Sequence, residues 1–139
     1  MSGDVGTARL SSDETGALMQ LLHQAMELRD ETLADIGCGP GELAATRAAL
    51  RELKQRLKAE DITAVGFSAD PALPPSAPPV LEPGADERLL EVRVPPRTGQ
   101  LWRAMAGLAF TAFGERELFY RTGRTHEELE TALGRFSFS

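Results

Sequence analysis

Between residues 11 and 36, Leu18, Leu21, Leu22, Ala25, Met26, Leu33 and Ile36 recur at helical spacing, which predicts one amphipathic helix over that stretch. Ser11, with Glu14 three residues on, or Ser12 just beside it, provides an N-cap and sets the expected start to within a turn. The run Gly37-Cys38-Gly39-Pro40-Gly41 then breaks the period, because glycine lowers helical preference and Pro40 disfavours the α region at Gly39. From Glu42 to Glu60 the period returns, with Leu43, Leu50, Leu53 and Leu57 on one stripe and Arg47, Arg51, Lys54, Lys58 and Glu52 off it. Two helices separated by about five residues are expected to fold back as an antiparallel αα-hairpin, leucine stripe against leucine stripe.

The pattern changes further along. Residues 62–67 and 89–94 read as short strands, the second with Leu90, Val92 and Val94 alternating with charged neighbours, and the two are expected to pair as a small ribbon. Between them, residues 70–84 hold six of the nine prolines and are expected to span on the order of 45 Å as the semi-stiff part of an acidic linker over 69–87. Residues 99–121 form the most apolar predicted helix, with Leu101, Trp102, Met105, Leu108, Phe110 and Phe113 spread around its circumference. Leu53 and Leu108 are the expected core positions. Gly123 should end that helix, and Thr125 with Glu128 should cap a short last one. Residues 1–10 are expected to be flexible, and the tail from Arg135 to fray unless Phe136 docks. The expected fold class is mainly α: one compact domain, a helical bundle built on the hairpin of 11–68, with a minor two-stranded ribbon, the Pro-rich connector, and the helices of 88–139.

Composition narrows the function. At 139 residues, 42% apolar and 26% charged, the chain suits a single globular domain. No apolar run reaches the roughly 18 residues of a membrane span and the first residues lack the order of a signal peptide, so a cytoplasmic setting is expected. The lone Cys38 leaves no internal disulfide, and with His23 and His126 it is a thin stock of metal ligands, so no metal is expected. A net charge of −6 argues against nucleic-acid and anionic-membrane partners. No Ser-His-Asp set, phosphate loop or paired-carboxylate arrangement stands out, and the expectation is a protein that is not an enzyme.

Two candidate sites remain. Asp35-Ile36-Gly37-Cys38-Gly39-Pro40-Gly41-Glu42-Leu43 resembles the glycine-rich first loop of class I S-adenosylmethionine-dependent methyltransferases. That resemblance implies S-adenosylmethionine as cofactor, held by Asp35, Gly37, Gly39 and Gly41, with residues 42–59 as the family's first helix and 62–68 as its second strand. The other candidate lies in residues 88–139, which carry eight arginines and no lysine against six acids, a local +2. Here Arg116, Arg121 and Arg124, near Tyr120 and His126, could grip an anion through guanidinium forks. Together with Trp102, Phe110 and Phe113 they make the expected partner-binding surface of a small interaction module, an adaptor, immunity-type factor or regulatory subunit. The exposed apolar helix also predicts a homodimer. The alternative is a methyltransferase-like protein using the glycine loop.

Overall fold

Residues 7–86 and 88–136 are described in the computed structural model. The first strand, β1 (Thr7–Ser11), runs directly into α1 (Ser12–Ala25), followed by the six-residue α2 (Asp30–Asp35) and the long α3 (Pro40–Ala59). Then come β2 (Ala64–Ala69), β3 (Val80–Pro83) and β4 (Leu89–Val94), and finally α4 (Pro96–Ala112), α5 (Glu115–Thr122) and α6 (His126–Arg135).

The strands form one mixed sheet in the order β1-β2-β4-β3: β1 pairs antiparallel with β2, β2 parallel with β4, and β4 antiparallel with β3. With 58% helix and 16% strand the fold is α+β, which corrects the expectation of a mainly α bundle with a two-stranded ribbon. Two strands account for the difference. Ala8 and Leu10 are the buried positions of β1, inside the segment expected to be flexible, and two alternations are too few to stand out in the sequence. Strand β3 lies within the proline-rich segment, at the sheet edge, where proline's missing N–H costs no ladder bond.

The proline-rich segment is therefore not a long-reaching linker. Strands β2 and β3 both flank β4, so residues 70–79 cross only two strand spacings, about 10 Å. They do so in tight turns: Asp70 donates its N–H to the Val94 carbonyl at 2.7 Å, Leu73 to Asp70 at 3.0 Å, and Ala77 to Pro74 at 2.9 Å. Arg93 on β4 pins the crossing, reaching Asp70 at 2.7 Å and Glu82 of β3 at 3.0 Å. The Asp70 carboxylate is held below its ordinary pKa, mainly by accepting the Ala72 N–H and then by the Arg93 guanidinium, while its carboxylate partners raise Arg93.

One sheet face carries the core. Ala8, Leu10, Val65, Phe67, Leu90 and Val92 share that face and are buried. Helix α1 makes its closest backbone contacts with α4 and α6, and the separate α2 intervenes before α3, so the expected hairpin of two helices joined by a five-residue turn does not form. Nor does one helix run from 11 to 36. Glu27 and Leu28 donate to the Gln24 and Ala25 carbonyls, three residues back, which tightens and ends the last turn. Both capping boxes, Ser11 with Glu14 and Thr125 with Glu128, form as the sequence predicts. Leu53 is buried; Leu108 is only partly so, and Met105, Ala106 and Ala109 take the centre of α4. Phe136 docks edge-on to Phe67, ring centroids 5.1 Å apart.

Candidate functional site

Helix α3 divides into three strips when its residues are placed about 100° apart around the axis. Thr46, Ala49 and Leu53 fall on one strip and are buried. Leu50, also buried, and the partly buried Leu57 lie next to it. Beyond them Arg47, Arg51, Lys54 and Lys58 share an arc of roughly 60°, spaced i, i+4, i+7 and i+11. Leu50 and Leu57 turn toward α1, where Met19 and Met26 meet them across a groove of about 570 Å³. His23 lies on the same wall, one turn from each methionine.

Three contacts fix the end of the groove at Arg124. Arg124, in the turn between α5 and α6, reaches Asp13 at 3.1 Å and donates to the Gln20 side-chain carbonyl. Gln20 in turn donates to the Thr122 carbonyl at 2.8 Å. A methyl group at Gly16 would sit 3.0 Å from the Arg124 guanidinium, so the glycine leaves the room that this arginine uses.

Charge in the groove is one-sided. Its lining holds five cations, Arg47, Arg51, Lys54, Lys58 and Arg124, and no Asp or Glu among the described residues. None of the four cations on α3 has an ion-pair partner among the described residues. In a chain of net −6 this is a local reversal of sign over an apolar floor.

The glycine segment does not make the expected cofactor loop. In the methyltransferase pattern it follows a strand, whereas here Asp35 ends α2 and Gly39 is the N-cap of α3. The Gly39 N–H that would face a ligand already donates to the Glu42 carboxylate at 3.0 Å. Gly37, at φ +86°, serves to reverse the chain between two helices. These residues do not fit S-adenosylmethionine. Cys38 is buried, and burial, then the nearby Glu42 charge, pushes its thiol pKa up, away from a reactive thiolate.

The expected partner surface is only partly assembled. Phe113, Arg116, Tyr120 and Arg121 come together around α5, with Tyr120 78% exposed and Phe119 beside it 48% exposed. Arg121 is already occupied there: it lies 4.5 Å over the Phe113 ring and contacts Glu117 and Gln24. Phe110 packs edge-on against His126, centroids 4.3 Å apart. The His126 Nδ1 is buried without a hydrogen bond, 3.9 Å from the Glu115 carboxylate. Trp102 stands apart from all of these, 2% exposed in the core. Arg124 faces the α1/α3 groove instead.

Sequence reasoning thus passed over Arg47, Arg51, Lys54 and Lys58, although their common helical face was readable from spacing alone. Comparison with protein-family models, curated proteins and solved structures finds no match to this chain.

Proposed function

We propose that this chain is a non-catalytic binding module that holds an anionic partner in the groove between α1 and α3. The observation that carries the reading is the row of four unpaired cations above a floor of Met19, Met26, Leu50 and Leu57. Cations without intramolecular partners keep their full attraction for a ligand, whereas Arg121 on α5 is spent on Glu117 and Gln24. The reading keeps Arg124 from the expected partner surface and leaves out Trp102, whose indole is needed in the core. Self-association through α4 is not part of it, because α1 and α6 pack on that helix within one chain. A cytoplasmic setting belongs to the same reading, supported by a lone buried cysteine kept as a thiol. No helix among the described residues is long and apolar enough to cross a membrane.

The test is a titration with a glutamate oligomer of about ten residues, a flexible polyanion, followed by amide chemical shifts at low and high salt. Shifts should cluster on α1 and α3, weaken with salt and vanish in the double variant Arg51→Glu/Lys54→Glu. Equal binding by that variant would overturn the reading.

A further inference from the structure

We infer that the partner segment is a short acidic amphipathic helix of another protein, lying along the groove between α1 and α3; this rests on the binding reading above. From Arg47 to Lys58 the cation row spans about 16.5 Å of helix axis, three turns. A ligand with a single anionic head would engage one end of that row. An occupant matching all of it carries anions repeated along roughly the same length, which acids at i, i+4, i+7 and i+11 of a helix supply with the same rise.

The apolar floor selects the same shape. Leu50 and Leu57 from one wall and Met19 and Met26 from the other are each separated by seven residues, so the two walls present apolar contacts in step. A helix with apolar residues at i, i+3 or i+4 and i+7 lays its stripe between them, and methionine adapts its shape to such a guest. An extended peptide fits less well for a reason of hydrogen bonding. Both walls are helices, whose backbone N–H and C=O groups are bonded within themselves, so a strand would find no ladder partners there. A helical guest brings its backbone bonds with it. Single-stranded nucleic acid would use the cations but needs a series of aromatic faces for its bases, and the groove lining has a single ring, His23, and no Phe, Tyr or Trp among the described residues.

A second copy of this chain does not supply the guest. Its most acidic helices are α2, with Asp30, Glu31 and Asp35, and α6, with Glu127, Glu128 and Glu130, but Leu33 of the first and Leu129 and Ala132 of the second, the apolar residues such a helix would have to insert, are buried in its own core. The guest therefore comes from a different protein.

The experiment uses the full chain and four fluorescent peptides of about fourteen residues, four helical turns. The first is amphipathic, with leucine on one face and glutamate on the next; the second has the same composition scrambled; the third has proline at its centre; the fourth has lysine for glutamate. Anisotropy should show the first peptide binding at least about tenfold more tightly than the scrambled and proline peptides. The Arg51→Glu/Lys54→Glu variant should lose that preference and bind the lysine peptide instead. Both side chains are exposed, so the variant's circular dichroism should match the parent's, and this gain of the lysine peptide cannot come from misfolding. If the scrambled and proline peptides bind as well as the amphipathic one, the helical guest is wrong while the anionic groove stands. If no acidic peptide binds, both fall. Displacement of the amphipathic peptide by an equal concentration of an oligothymidylate overturns the inference in favour of nucleic acid.

Discussion

The indole N–H of Trp102 donates to the hydroxyl of Thr46 at 3.2 Å, and that hydroxyl donates in turn to the Glu42 carbonyl at 2.8 Å. Both residues are buried, so this relay is a polar tie between α4 in the core and α3, the wall that carries the cations. Replacing Thr46 by valine keeps the shape and leaves the indole N–H without an acceptor. The cost should be about 1–3 kcal/mol, the range for stranding one buried donor. Urea unfolding followed by the emission of Trp102, the chain's one tryptophan, measures it directly. Thr46→Ser, which restores the acceptor, should recover most of the loss.

The C-terminal end is expected to matter more than its position suggests. Phe136 is fully buried and meets Phe67 of the central strand β2 edge to face. Phe136→Ala should cost about 3–5 kcal/mol, a large share of the stability of a domain this size. A midpoint in urea unchanged from the parent would show that the ring is dispensable.

Acid should attack the proline-rich crossing. Asp70 has a lowered folded-state pKa because the Ala72 N–H and Arg93 favour its charged form. Its contribution is therefore present above the ordinary aspartate range, about 4, and is lost as pH falls through the lower folded value. Melting temperature should drop on acidification over that window, and Asp70→Asn should flatten this part of the profile while lowering the plateau at neutral pH. A parallel drop in both proteins would assign acid sensitivity to other carboxylates.

Two glycines should respond oppositely to alanine. Gly123 closes α5 at φ +74°, a left-handed conformation that costs a side chain about 1–2 kcal/mol. Gly134 lies inside α6 with open space where a methyl would go, so alanine there should gain up to about 1 kcal/mol from helix propensity. Thermal unfolding of the two single variants gives both signs in one experiment.

What the sequence revealed follows from how local each signal is. The capping boxes at Ser11 and Thr125 and the stop at Gly123 involve residues three or four apart, and all three form. Strand β1 was invisible because its partner β2 lies more than fifty residues away, and nothing near Ala8 and Leu10 announces it. The prolines of 71–83 suggested reach, yet what decides the path is Arg93 meeting Asp70 and Glu82, a pairing of residues on three separate segments. The apolar girdle of α4 implied burial on several sides, whereas its buried residues, Gly99, Trp102, Met105, Ala106 and Ala109, share one face spanning about 120°. The cation row at 47, 51, 54 and 58 was legible as a face, while the methionine wall that turns it into a groove required the placement of α1.

The sheet register at Ser11 and Ala64 has a topological consequence. These two residues face each other on neighbouring antiparallel strands, and Ser12 donates to the Thr63 carbonyl at 2.9 Å just beyond them. The whole of residues 12–63, with both groove walls, leaves and re-enters the sheet at a single point. Helix α1 within that segment is held on its other side by α4 and α6, so the segment is tied to the sheet at one strand pair and to the core through α1. Changes on the exposed face of α3 can alter the groove lining without touching a strand pair, whereas changes on the buried face of α1 act on the whole core.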